Sequence, residues 1–189
     1  MGRNPHLPDL SMQESSRSLS PGDTSRSGRA VATMSKIAQK LNERTDWSSF
    51  RDITGSSIDV GNAIHVLLNA RYAASAEAAY WRLENRIVVQ GTVYSAVVPA
   101  TCVLVAALAD DIPMPVTISI LELLYQILSG AQAEDETGVD LIGQCRVLAS
   151  EGLWLIVKEF VDGPRDAARD VLQYLNTDVD FEMLVLSDL

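Results

Sequence analysis

Lysine and arginine are missing from the middle of this chain: none occurs between Arg86 and Arg146. Seven carboxylates do occur there, Asp110, Asp111, Glu122, Glu134, Asp135, Glu136 and Asp140, and the formal net charge over all 189 residues is −10. Phosphate recognition needs clustered cations, so nucleic acid is not expected as a partner. A basic protein is the better electrostatic match. Cysteine is scarce as well. Cys102 and Cys145 are the only two, and both lie in apolar stretches where a thiol behaves as a small hydrophobe. Without a disulfide framework, a reducing cytoplasm is the expected location.

Catalytic signatures are also lacking. The sequence contains no nucleophile elbow, P-loop or dinucleotide fingerprint. Cys102, Cys145 and His65 are too scattered for a metal set, and His6 lies in a polar tail. Residues 133–140 read AEDETGVD, superficially a calcium loop. With Gly138 at its sixth position, however, Ala133 and Thr137 fall where the first and fifth ligands belong, and the match fails. The pairs Glu77/Glu84 and Asp166/Asp170 read as solvated helix faces rather than a hydrolytic dyad. No cofactor, metal or catalytic residue is expected, and the chain reads as a binding protein rather than an enzyme; an unrecognised enzymatic site would have to centre on His65.

A long apolar run is almost present. Residues 87–109 carry no charge, close to the length of a membrane span. Gln90, Gly91, Thr92, Ser95 and Thr101 interrupt the run, and no Lys or Arg flanks its C-terminal end. A fully buried helix explains the same residues, and no membrane partner is expected. The first 33 residues are rich in Ser, Arg, Pro and Gly with no apolar h-region, so they are no secretory signal. They lack the apolar surface that would offset their ordering entropy, so residues 1–33 are expected to be a disordered tail, with Met34 a candidate start codon.

From Met34 to Leu189 the pattern is helical, giving an all-α domain over 34–189. Ile37 and Leu41 stand at i, i+4 in the first helix, and WSSFRDI follows as an aromatic-anchored turn. Ile58, Ala63, Ile64, Leu67 and Leu68 mark a second helix with Asp59 placed as its N-cap. A third is expected to open on Ser75 and to stop at Gly91 as its C′ residue. Thr92 then caps a helix running to Asp110, kinked by Pro99. Strand signals are weak. Pro115 reads as a first-turn residue, followed by the apolar face Val116, Ile120, Leu121, Leu124, Ile127, Leu128 and the polar stripe Ser119, Glu122, Gln126, Ser129. A long helix over 138–163 is broken near Gly152, and Gly163-Pro164 introduces the last helix, with Ala167, Ala168, Val171, Leu172 and Leu175 facing inward.

Helices opening near Ser75, Pro115 and Pro164 recur at a period suited to paired-helix repeats of the HEAT or armadillo type. Each pair leaves an apolar face for its neighbour to cover, so the expected architecture is a short right-handed α-solenoid of about three helix pairs behind an N-terminal helix.

Residues 46–130 resemble a group of bacterial HEAT-repeat proteins. The hallmark is a Trp-bearing helix, a His-Gln-Gly-Thr-x-Tyr-like turn, and a helix whose proline precedes an apolar run. Trp81, Gln90, Gly91, Thr92, Tyr94 and Pro99 stand at corresponding places, and WSSFRDITGSS resembles the segment that precedes them in the group. Two departures are Val89 in place of the His and Thr101-Cys102-Val103 in place of a bulkier run. The resemblance implies an immunity protein of a bacterial toxin system: a stoichiometric partner that blocks a basic cognate toxin, a nuclease being one candidate. A helical-repeat adaptor without a toxin is the alternative.

In such stacks the second helix of each pair lines the concave side. The candidate partner-binding residues are therefore Glu77, Trp81 and Glu84, then Glu122, Tyr125 and Gln126, then Asp166, Asp170 and Tyr174. Carboxylates would steer a basic partner and aromatics would anchor it; core packing is the competing role for Trp81 and Tyr125.

Overall fold

The computed structural model describes residues 36–175. The expectations for residues 1–33, Met34 and the last residues of the chain lie outside this range. Among the described residues there are eight α-helices and three two-residue strands, so the all-α expectation holds with one small β element added.

Helix α1, Lys36–Arg44, leads into a 3-10 turn, Trp47–Ser49. Trp47 is buried here, as its apolar ring requires, and its indole N–H donates to the Asn42 carbonyl at 3.2 Å. Asn42 Nδ2 in turn donates to the Gly61 carbonyl at 2.9 Å. Ser57 Oγ donates to the Trp47 and Phe50 carbonyls. Gly61 is glycine because of the ring: a Cβ there would stand 2.5 Å from Trp47 Cδ1.

Helix α2, Ile58–Leu68, buries Val60, Ala63, Ile64, Leu67 and Leu68. Its cap position is Ser57, one residue before the helix. Asp59, expected as the cap, instead pairs with Arg86 at 2.8 Å. Helix α3, Ala73–Ile87, begins two residues before the expected cap. Ser75 sits inside the first turn, where its Oγ accepts from the Tyr72 N–H and donates to the Tyr72 carbonyl. A serine hydroxyl can bond backbone from either position, which is why sequence alone misplaced it.

The segment expected to join two helices is a β-hairpin. Strand β1, Val88–Val89, pairs antiparallel with β2, Thr92–Val93, in the register Val89↔Thr92. Gln90 and Gly91 form the two-residue loop with φ of 52° and 78°. Positive φ at both central positions is the type I′ requirement. Gly91 is therefore a hairpin glycine rather than a helix C′, and Thr92 is a strand residue rather than a cap. Strand β3, Ala131–Gln132, adds in parallel to β2, with Ala131 N–H donating to the Gly91 carbonyl at 2.7 Å.

Helix α4, Val97–Ala107, starts later than expected. Pro99 is its third residue, where a backbone N–H has no intrahelical acceptor, so no kink is needed. Seven of the eleven residues of α4 are buried and none is exposed, the role its missing charge implied. Helix α5, Met114–Ser129, carries Pro115 in its first turn as expected, and all six residues of its anticipated apolar face are buried. Full burial of each such Leu or Ile side chain is worth roughly 1.5–3 kcal/mol. Helix α6, Leu141–Glu151, and α7, Leu153–Asp162, are the expected long helix divided at Gly152. A Cβ on Gly152 would collide with Val105 of α4. Helix α8, Arg165–Leu172, follows Gly163-Pro164 and buries Ala168, Val171 and Leu172.

Sequence neighbours α2 and α3, α4 and α5, and α7 and α8 pack on each other. Contacts between pairs form two rows: α3 on α5 on α8, and α1 on α4 on α6. No helix among the described residues is long and apolar enough to cross a membrane.

Candidate functional site

The α3–α5 contact leaves an open groove of about 400 Å³. Its α3 wall is Ala73, Glu77, Tyr80 and Trp81; its α5 wall is Pro115, Ile118, Ser119 and Glu122. Helical periodicity builds both walls. Glu77 and Trp81 are four apart, as are Ile118 and Glu122, so each pair shares a face.

Trp81 is 51% exposed, and Ile118 and Met114 are exposed nearby on α5. Water-facing large apolar side chains at a cavity mouth mark a surface suited to contact. Tyr80, half-buried, meets Trp81 edge to face, with ring centroids 5.1 Å apart and planes at 78°. Burial, then the carboxylates of Glu84 and Glu122, push the Tyr80 hydroxyl above its ordinary value. Ser119 Oγ is occupied, donating to the Pro115 carbonyl at 3.0 Å.

Three of the nine candidate residues, Glu77, Trp81 and Glu122, therefore meet in one groove, and Glu84 reaches it electrostatically through Tyr80. Tyr125 and Tyr174 come together elsewhere, edge to face at 5.8 Å, across the α5–α8 contact. Both are half-buried, so they act partly as packing. Asp166 is exposed and paired with Arg169 one turn on, at 3.0 Å. Asp170 and Gln126 are half-buried and line no part of the groove. Sequence reasoning missed Tyr80, Pro115 and Ile118 as wall residues. A signal for Tyr80 did exist: it precedes Trp81 and stands one turn after Glu77.

The acid-only segment does not form one face. Asp135 pairs with Arg51 at 2.7 Å. Glu136 accepts from the Ser95 N–H at 3.1 Å. Asp140 caps α6, accepting from the Gly143 N–H at 2.8 Å. These three carboxylates bind backbone or a neighbouring cation, whereas Glu122 faces the groove.

His65 is exposed on α2 beside Asn69. Both cysteines are free; burial pushes the Cys145 thiol up to about 11. Among the described residues no group of three or more His, Cys, Asp or Glu side chains is placed to hold a metal. Comparison with protein-family models, curated proteins and solved structures finds no match.

Proposed function

We propose that this chain is a non-enzymatic protein-binding module, an immunity protein that occludes a basic cognate bacterial toxin. The supporting observation is the α3–α5 groove, whose apolar walls carry exposed Trp81 and Ile118 together with Glu77 and Glu122. An aromatic anchor set among carboxylates is the composition that grips a positively charged protein surface. We read the helix rows as a short right-handed HEAT-like solenoid, with α3, α5 and α8 as the second helices of successive pairs. The order of packing, α3 on α5 on α8, supports that reading. The toxin assignment rests on the resemblance of residues 46–130.

Co-expression with the product of the adjacent reading frame tests this directly. The two proteins should co-elute in size-exclusion chromatography, and this chain should relieve any toxicity of its neighbour. Glu77→Lys with Glu122→Lys should weaken the complex by about tenfold or more. Absence of any co-eluting, toxic neighbour would refute the immunity reading.

One observation favours the adaptor alternative. Trp154 on α7 is 72% exposed, with Val147 of α6 and Val161 of α7 also exposed, and neither helix lines the groove. An adaptor needs a second surface of this kind. Simultaneous capture of two different proteins, one lost on Trp154→Ala and the other on Trp81→Ala, would select it.

A further inference from the structure

We propose that the corner between the Tyr80 and Trp81 rings is a socket for one lysine of the partner protein, whose ammonium is held by Glu77 and Glu122. This inference rests on the protein-binding reading and names what enters the groove.

The rings stand nearly at right angles, 78° with centroids 5.1 Å apart, so two π surfaces meet in one corner. A cation within about 6 Å of a ring centroid is attracted by the ring quadrupole. Trp81 is the stronger such ring, and its exposure leaves it open to an incoming group. Ala73, Pro115 and Ile118 supply apolar surface on both walls, which suits the methylene stem of a lysine.

Among the described residues this charge is not compensated. Neither Glu77 nor Glu122 receives an ion pair or hydrogen bond from a described residue, and α5 carries no basic residue at all. On α3, Arg86 is held by Asp52 and Asp59, both at 2.8 Å. Arg82 lines a different cavity, between α2 and α3. The two groove carboxylates stand on separate helices. Three rotatable ammonium donors can satisfy two separate acceptors, whereas the planar guanidinium fork favours a single bidentate carboxylate. Lysine is therefore the better fit than arginine.

The test is an NMR titration of the whole chain, reading the indole N–H of Trp81, identified by its loss in Trp81→Phe. The probes are the blocked amino acids N-acetyl-lysine, N-acetyl-arginine and N-acetyl-norleucine methylamides. Lysine should give a saturable shift at Trp81 in the millimolar range, with the Trp47 and Trp154 signals unmoved. Norleucine and arginine should bind at least about fivefold more weakly, and Glu77→Gln with Glu122→Gln should cost lysine a similar factor. Equal binding of norleucine would leave only an apolar groove and overturn the socket. So would an unchanged lysine shift in the Gln double variant, or no saturable shift up to about 100 mM. The same variant, mixed with the adjacent gene product, separates the two readings. A complex that forms as well with the variant as with the natural chain defeats the socket alone, whereas a natural chain that captures no protein defeats the binding module beneath it.

Discussion

Asp52 and Glu122 are both enclosed to some degree, yet the structure uses them in opposite ways. Asp52 is fully buried, and both its oxygens are engaged: Oδ1 accepts from the Thr54 N–H at 2.8 Å and from Thr54 Oγ1 at 2.6 Å, and Oδ2 accepts from Arg86 at 2.8 Å. Burial alone pushes its carboxyl up, but the Thr54 and Arg86 hydrogen bonds outweigh that and hold it below the usual carboxylate range. Glu122 faces a largely apolar groove and has no cation beside it among the described residues. Around the hairpin, Asp52 ties a loop to α3, Asp140 caps α6, and Asp135 and Glu136 join one loop to another; among the described residues, nothing donates to Glu77 or Glu122 in the groove. The contrast separates a buried carboxylate committed to the fold from carboxylates that no described residue engages, a distinction that net charge conceals.

Four substitutions sharpen or break the contrast. The largest effect is expected at Gly61→Ala, where a methyl would press on the buried Trp47 ring at 2.5 Å. A loss of about 3 kcal/mol in urea unfolding is expected; a loss under about 1 kcal/mol would show that the Trp47 anchor yields easily.

Asp52→Ala comes next, at about 2 kcal/mol, because it strands the buried Thr54 donors and leaves Arg86 with Asp59 alone. Its pH signature has a definite sign. The folded-state carboxyl titrates below its unfolded value, so its contribution is present above the ordinary carboxylate range and is lost as pH falls through the folded value. Natural protein should lose stability on acidification more steeply than Asp52→Asn; parallel acid profiles would contradict the role assigned to Asp52.

Glu122→Ala should change stability by no more than about 0.5 kcal/mol while weakening the partner complex measurably. Should it destabilise the chain as much as Asp52→Ala, Glu122 would belong with the fold-maintaining carboxylates. The smallest effect is expected at Asp135→Ala. Its ion pair with Arg51 is exposed on both sides, and such pairs contribute little. Thermal unfolding should be unchanged.

Much of the fold was legible before the structure. Pro115, Gly152 and Gly163-Pro164 mark element boundaries through constraints that act within one or two residues. The apolar faces of α5 and α8 follow from the helical period. The misreadings also share a cause. Gly91 signals positive φ, which both a helix C′ and a type I′ hairpin require. The hairpin prevails because Val93 and Gly91 receive hydrogen bonds from Ala133 and Ala131, residues far along the chain. Pro99 breaks a helix only in its interior, and its position in α4 depended on where the hairpin ended. In the groove, Glu77, Trp81 and Glu122 were visible as polar or aromatic positions on helix faces. Tyr80 was overlooked although it stands beside Trp81 and one turn after Glu77, because its role as a wall depends on α5 packing beside it.

The helical class, most of the boundaries and the absence of cations from residues 87–145 follow from periodicity, backbone preference and composition, which are local properties of the chain. Helix packing is what pairs the QGT segment with β3, gives Asp52, Asp135 and Glu136 their partners, and sets Glu77 and Glu122 along one groove. Those outcomes depend on distances between residues remote in sequence, which are set when the helices pack and not before.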